Sequence, residues 1–116
     1  MKIINIDPRH LIPTEKIISD NISVLIKNIG MNPINWPPII VSEESYILDG
    51  HHRHDIALTH SFKTIPAYCL SYYDPRIQVF DYNDGTPLDK ATLLKIYKSG
   101  LLLNPKTTRH IVETLI

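Results

Sequence analysis

The sequence is short of the features that mark an exported, membrane-anchored or nucleic-acid-coating protein. It holds one cysteine, Cys69, which excludes an internal disulfide, and the apolar, strand-like run around that residue suits a buried structural thiol better than a reactive one. No apolar run approaches the length of a membrane-spanning helix, and the run within Met1–Asp7 is too short for a secretory signal. The expectation is a soluble cytoplasmic protein with no membrane partner. Twelve basic and twelve acidic side chains cancel, so the overall basic field that usually drives binding to nucleic-acid backbones is missing, and DNA is not the expected partner. No Cys–His spacing resembles a structural zinc site. Repeats, low-complexity tracts and linkers are also lacking, so residues 1–116 read as one domain that must build its site from one core.

Histidine, by contrast, is abundant: six in 116 residues, three of them within positions 51–54. They fall in the stretch Tyr46-Ile47-Leu48-Asp49-Gly50-His51-His52-Arg53-His54-Asp55-Ile56-Ala57. Its first residues suit a strand and its last a helix, so the chain must turn at Asp49-Gly50. A helix N-terminus presents free backbone N–H groups and the positive end of the helix dipole, and Gly50, His51, His52 and Arg53 stand at that point. The stretch reads as a phosphate site. A carboxylate beside a phosphate is repulsive unless a cation, a proton or a catalytic task intervenes, so Asp49 points to metal-assisted or general-base phosphoryl chemistry.

The string Ile47-Leu48-Asp49-Gly50-His51-His52-Arg53 resembles the signature of the ParB/sulfiredoxin superfamily, in the form used by its free-serine kinases. A second string, Pro105-Lys106-Thr107-Thr108-Arg109-His110, is similar to a motif near the C-terminus of the same kinases, in the same order. The resemblance implies phosphorylation of free L-serine to O-phosphoserine with ADP or ATP as donor and Mg²⁺ as cofactor. It implies Glu15, in a Pro-x-Glu context, as the catalytic acid/base. Asp49 is then the metal ligand or a second catalytic carboxylate, and Gly50, His51, His52 and Arg53 the grip on the donor's phosphates. Lys106, Thr107, Thr108, Arg109 and His110 would surround serine or phosphoserine, offering charges and hydroxyls. Trp36 is a candidate lining of the substrate or base pocket, a core role being the alternative. The sulfiredoxin branch is disfavoured because its reactive cysteine is replaced by His51, and the DNA-partitioning branch because its Gly-Glu-Arg-Arg form and its helix-turn-helix domain are missing. A nucleotide-binding regulatory module without kinase activity is the alternative. The segment between Tyr82 and Pro105 is shorter than in the known serine kinases, which implies trimmed adenine and substrate pockets.

The expected fold is α/β (α+β) of ParB/sulfiredoxin type, a small mixed sheet flanked by about three helices. Lys2–Ile6 reads as a first strand and Leu11–Glu15 as a loop beside the sheet. Ile22, Leu25, Ile26 and Ile29 recur at helical spacing, with Ser19, Asp20 or Asn21 as N-cap and Gly30 as stop. Three prolines make Met31–Pro38 an ordered loop. Ile39–Val41 and Tyr46–Leu48 form a hairpin that delivers Asp49. Thr64–Leu70 and Arg76–Tyr82 are strands, and Asp89 caps a helix that presents Ala91, Leu94 and Tyr97 on one side and stops at Gly100. Leu101–Leu103 reads as a buried run, and Ile111–Ile116 as either a short helix or a strand. Both motifs should meet in one cleft at strand ends.

Overall fold

A computed structural model describes residues 2–113. Six strands and three helices follow in the order β1 (Ile4–Ile6), α1 (Asp20–Ile29), β2 (Ile39–Ser42), β3 (Ile47–Asp49), α2 (His51–Thr59), β4 (Ile65–Leu70), β5 (Ile77–Asp81), α3 (Lys90–Lys98) and β6 (Thr108–Val112). The first four strands make a mixed sheet in the order β1-β4-β2-β3, in which β2 and β4 run parallel and the other pairs antiparallel. Strands β5 and β6 form a separate antiparallel ribbon.

Strand β2 is buried along its whole length because both faces of the sheet are covered. Ile39, Val41 and Ile47 point to one side, with Trp36, Ile56 and Ala57 and the half-buried face of α1. Ile40 and Leu48 point to the other, with Leu70, Tyr72, Ile77, Val79 and the α3 residues Leu93, Leu94 and Tyr97. A strand buried on both faces loses the alternation of a half-wet strand, which explains the unbroken run Ile39-Ile40-Val41.

Several local expectations change. Ser19 precedes α1 with helical φ and ψ and makes no side-chain cap, whereas Asp89 caps α3 by accepting from the Thr92 N–H. Ala91 is exposed, because the buried stripe of α3 runs through Leu93, Leu94 and Tyr97 instead. Leu101 and Leu102 are not buried; they are 62% and 37% exposed after the α3 stop. Val112 ends β6 in ladder with Ile77, which settles the strand reading as far as the described residues go; positions 114–116 lie outside them. Cys69 is only partly buried.

Candidate active site

The β2–β3 hairpin ends at Asp49, and Gly50 turns the chain into α2 with φ +107. A Cβ at this position would lie 2.3 Å from Cγ2 of Ile39, so glycine is required both by the left-handed backbone and by packing on β2. Helix α2 then starts without a side-chain cap. Its first intrahelical bond is from the His54 N–H to the Gly50 carbonyl, leaving the N–H groups of His51, His52 and Arg53 without a partner among the described residues.

The two signature histidines face backward, onto the loop that carries Glu15. Nε2 of His51 accepts from the N–H groups of Thr14 (3.0 Å) and Glu15 (3.1 Å), and Nε2 of His52 accepts from the Ile18 N–H at 3.0 Å. An accepting Nε2 fixes the neutral tautomer with its proton on Nδ1. Burial, and secondarily the neighbouring histidines, push the pKa of His51 down to about 3, so it contributes a neutral Nδ1–H donor rather than a cation.

The second motif grips the other end of Glu15. Pro105–Thr107 is a turn in which Lys106 adopts φ +58, and this aims backbone N–H groups at the Glu15 carboxylate. The Lys106 N–H donates to Oε1 at 3.1 Å, and Thr108 donates to Oε2 through its N–H at 3.0 Å and its hydroxyl at 2.5 Å. Glu15 is 8% exposed.

These residues converge on a cleft of about 250 Å³. Glu15, Asp49, Gly50, His51, His52, Arg53, Lys106 and Thr108 all line it. Lys16, Leu25, Leu48 and Tyr82 line it as well and were not singled out from the sequence. The adjacency of Lys16 to Glu15 was an available signal; Tyr82 gave none, and here its ring lies 5.7 Å from Nζ of Lys106. Arg53 is braced, donating to the Pro37 carbonyl and to Oδ2 of Asp49 at 3.3 Å.

Four expected site residues stand elsewhere. Trp36 is 4% exposed in the core, packed on Phe62 and donating from Nε1 to the Gly30 carbonyl. The Thr107 hydroxyl turns back to the Asn104 carbonyl. Arg109 is exposed on β6, on the opposite side of the strand from Thr108 and His110. His110 is buried with Nε2 2.9 Å from the Tyr72 hydroxyl, and burial pushes its pKa down to about 4. Alternation along β6 turns Arg109 outward, since only every second residue of a strand can face one side, whereas His110 shares the side of Thr108 and is buried against Tyr72.

Among the described residues no three side chains form a metal-binding cluster. Magnesium held on substrate phosphates needs only one or two carboxylates. Asp49 fits that demand, being exposed and having one oxygen without a partner among the described residues.

No family model matches the sequence. A ParB-like protein of Sulfolobus acidocaldarius is 29% identical over 102 residues, which take in 83% of this chain and 49% of that protein. The chain therefore spans about half the length of the curated relative it matches. A conserved hypothetical protein from Pyrococcus furiosus superposes with a TM-score of 0.82 at 13% identity, covering 99% of this chain and 93% of the other. A free serine kinase in complex with AMP gives 0.75 at 14% identity, over 95% and 87% of the two chains. A variant of such a kinase with a glutamate replaced by alanine, in complex with ADP, gives 0.69 at 14%, over 97% and 88%. The fold is that of the ParB/sulfiredoxin type, shared with free serine kinases.

Proposed function

We propose that the protein is a phosphotransferase that moves a phosphoryl group from an adenine nucleotide, ADP or ATP, to the hydroxyl of free L-serine. The observation that carries this reading is that Glu15, clamped at both its backbone and its carboxylate, lines the same cleft as the free N-terminus of α2. The backbone N–H groups of His51, His52 and Arg53 bind the donor's phosphates. The likeness of fold to kinases solved with AMP and ADP supports a nucleotide there. Asp49 would hold Mg²⁺, which when bound neutralises phosphate charge. The serine oxygen attacks the terminal phosphorus, the bond from phosphorus to the bridging oxygen breaks, and AMP or ADP leaves. Glu15 takes the hydroxyl proton, as the weak nucleophile requires. Lys106 adds positive charge on the same wall.

The second reading is a nucleotide-binding regulatory module without kinase activity. It is favoured by the three protein donors already spent on the Glu15 carboxylate. The test is phosphoserine formation, followed by mass spectrometry, with ADP or ATP and serine. A positioned base contributes roughly 10²–10⁴-fold, so Glu15→Gln should lower kcat by about that factor with nucleotide affinity kept. Nucleotide binding without phosphoserine from either donor leaves the regulatory module.

A further inference from the structure

The nucleotide cleft is not the only space that reaches Glu15. A second cavity of about 370 Å³ shares Glu15, Lys16 and His51 with it but includes none of Asp49, Gly50 or Arg53. This is within the size range of small-molecule sites. Its walls are apolar, formed by Pro13, Ile17, Leu58 and Leu102, and the two leucines are 43% and 37% exposed. Besides Glu15, two opposite charges stand on it, Lys16 and Asp55. Neither has a salt-bridge partner among the described residues.

Resting on the kinase reading above, we propose that this cavity binds the charged ends of a small zwitterionic amino acid, the α-carboxylate at Lys16 and the α-ammonium at Asp55. A zwitterion needs one cation and one anion a few ångströms apart, and its hydroxyl must still reach the base. The cleft itself supplies the pair poorly. Its carboxylates are Asp49, paired with Arg53, and Glu15, held by Thr108 and Lys106. The second motif, expected to surround the amino acid, sends Arg109 and His110 away from the cleft. The adjoining cavity holds an unspent carboxylate and an ammonium beside the same base. Its apolar walls lower the local dielectric, which strengthens both contacts.

The test uses the whole chain saturated with AMP, which has no phosphoryl group to give, titrated with L-serine by calorimetry. Serine should bind, with ethanolamine and glycolate, which each lack one charged end, weaker by about tenfold or more. Asp55→Asn should weaken serine by about the same factor and leave AMP affinity unchanged. Leu102→Trp, which fills the cavity, should abolish serine binding. Serine KM is measured on the same variants. Phosphoserine formed with an unchanged serine KM in both variants overturns the cavity and leaves the kinase standing. Serine bound by wild type and lost in the variants, with no phosphoserine made, supports the cavity and overturns the kinase. No serine binding by wild type, with no phosphoserine, overturns both.

Discussion

Thr108 donates twice to one oxygen of Glu15, through its backbone N–H at 3.0 Å and its hydroxyl at 2.5 Å, across 93 residues of chain. This contact joins the loop after β1 to the start of β6 and fixes the direction of a buried carboxylate. The second motif thus acts on the site largely through its backbone: the left-handed Lys106 turns two N–H groups inward, and the threonine hydroxyl completes the clamp. A residue held in that backbone region is uncommon and persists where the surroundings demand it.

The first prediction concerns that clamp. Thr108→Val keeps the shape and removes one charge-assisted hydrogen bond, of a kind that contributes about 1.5–3 kcal/mol. If Glu15 must be held in place to act, kcat should fall by roughly 10–100-fold with nucleotide affinity unchanged, and Thr108→Ser should restore most of it. A serine variant as impaired as the valine one would show that the methyl group, not the hydroxyl, matters.

Arg53 carries the second prediction. Its guanidinium bridges the Pro37 carbonyl and Asp49 while lining the cleft, and burial lowers its pKa despite the opposing pull of Asp49. Arg53→Ala should weaken nucleotide binding by roughly 10–100-fold, the scale of a lost charge-assisted contact. Arg53→Lys should not rescue it, since an ammonium lacks the planar fork that spans two acceptors. Calorimetry showing wild-type affinity in the alanine variant would reduce Arg53 to a brace for the Pro-rich loop.

The sequence was readable where chemistry is local. Asp49-Gly50 between an apolar run and a polar helix start marks a turn, which stands in the structure, and the prolines between Met31 and Pro38 stop α1 from continuing, leaving only a short 3-10 turn over Pro33–Asn35. What it concealed depends on who faces whom. A histidine can donate or accept, and only the position of the Thr14, Glu15 and Ile18 amides makes His51 and His52 acceptors. An apolar triplet such as Leu101–Leu103 carries no record of what covers it. The motif Lys106–His110 was legible as a unit, but only Lys106 and Thr108 line the cleft, strand alternation turns Arg109 to the surface, and His110, on the side of Thr108, is buried against Tyr72. The backbone donors that hold Glu15 have no letter in the sequence at all.

Gly50 gives the third prediction. Gly50→Ala forces a left-handed L-residue, which costs about 1–2 kcal/mol, and drives a methyl into Ile39, where overpacking costs about 1–3 kcal/mol. Stability should fall by roughly 2–5 kcal/mol in chemical denaturation. Gly85 has φ +74 but nothing within 4 Å of an added Cβ, so Gly85→Ala should show only the backbone part. Equal losses at both positions would remove the packing argument at the phosphate-binding turn.

The last prediction is a stability loss in mild acid that begins above the carboxylate range. His110 is buried, bonded through Nε2 to the Tyr72 hydroxyl, and its Nδ1 has no partner among the described residues. Burial is the main reason its pKa drops from the ordinary 6.5 to about 4, with Lys90 adding to the drop and the Leu48 backbone opposing it. Below pH 6.5 the unfolded chain takes a proton at this histidine and the folded chain does not until about pH 4. The unfolded state therefore binds more protons in that window, and stability falls as pH falls, by about 1.4 kcal/mol per pH unit for each such group. His51, lowered to about 3 by burial, and His54, also lowered mainly by burial, have the same sign and steepen the wild-type slope beyond one proton. Urea unfolding at several pH values between 7 and 4.5 should show this slope. His110→Phe, which keeps an aromatic ring against Tyr72, should be less stable at pH 7 because the tyrosine hydroxyl loses its partner, yet show a slope shallower by one proton. A slope identical to wild type would mean that His110 takes up its proton in the folded protein at an ordinary pH.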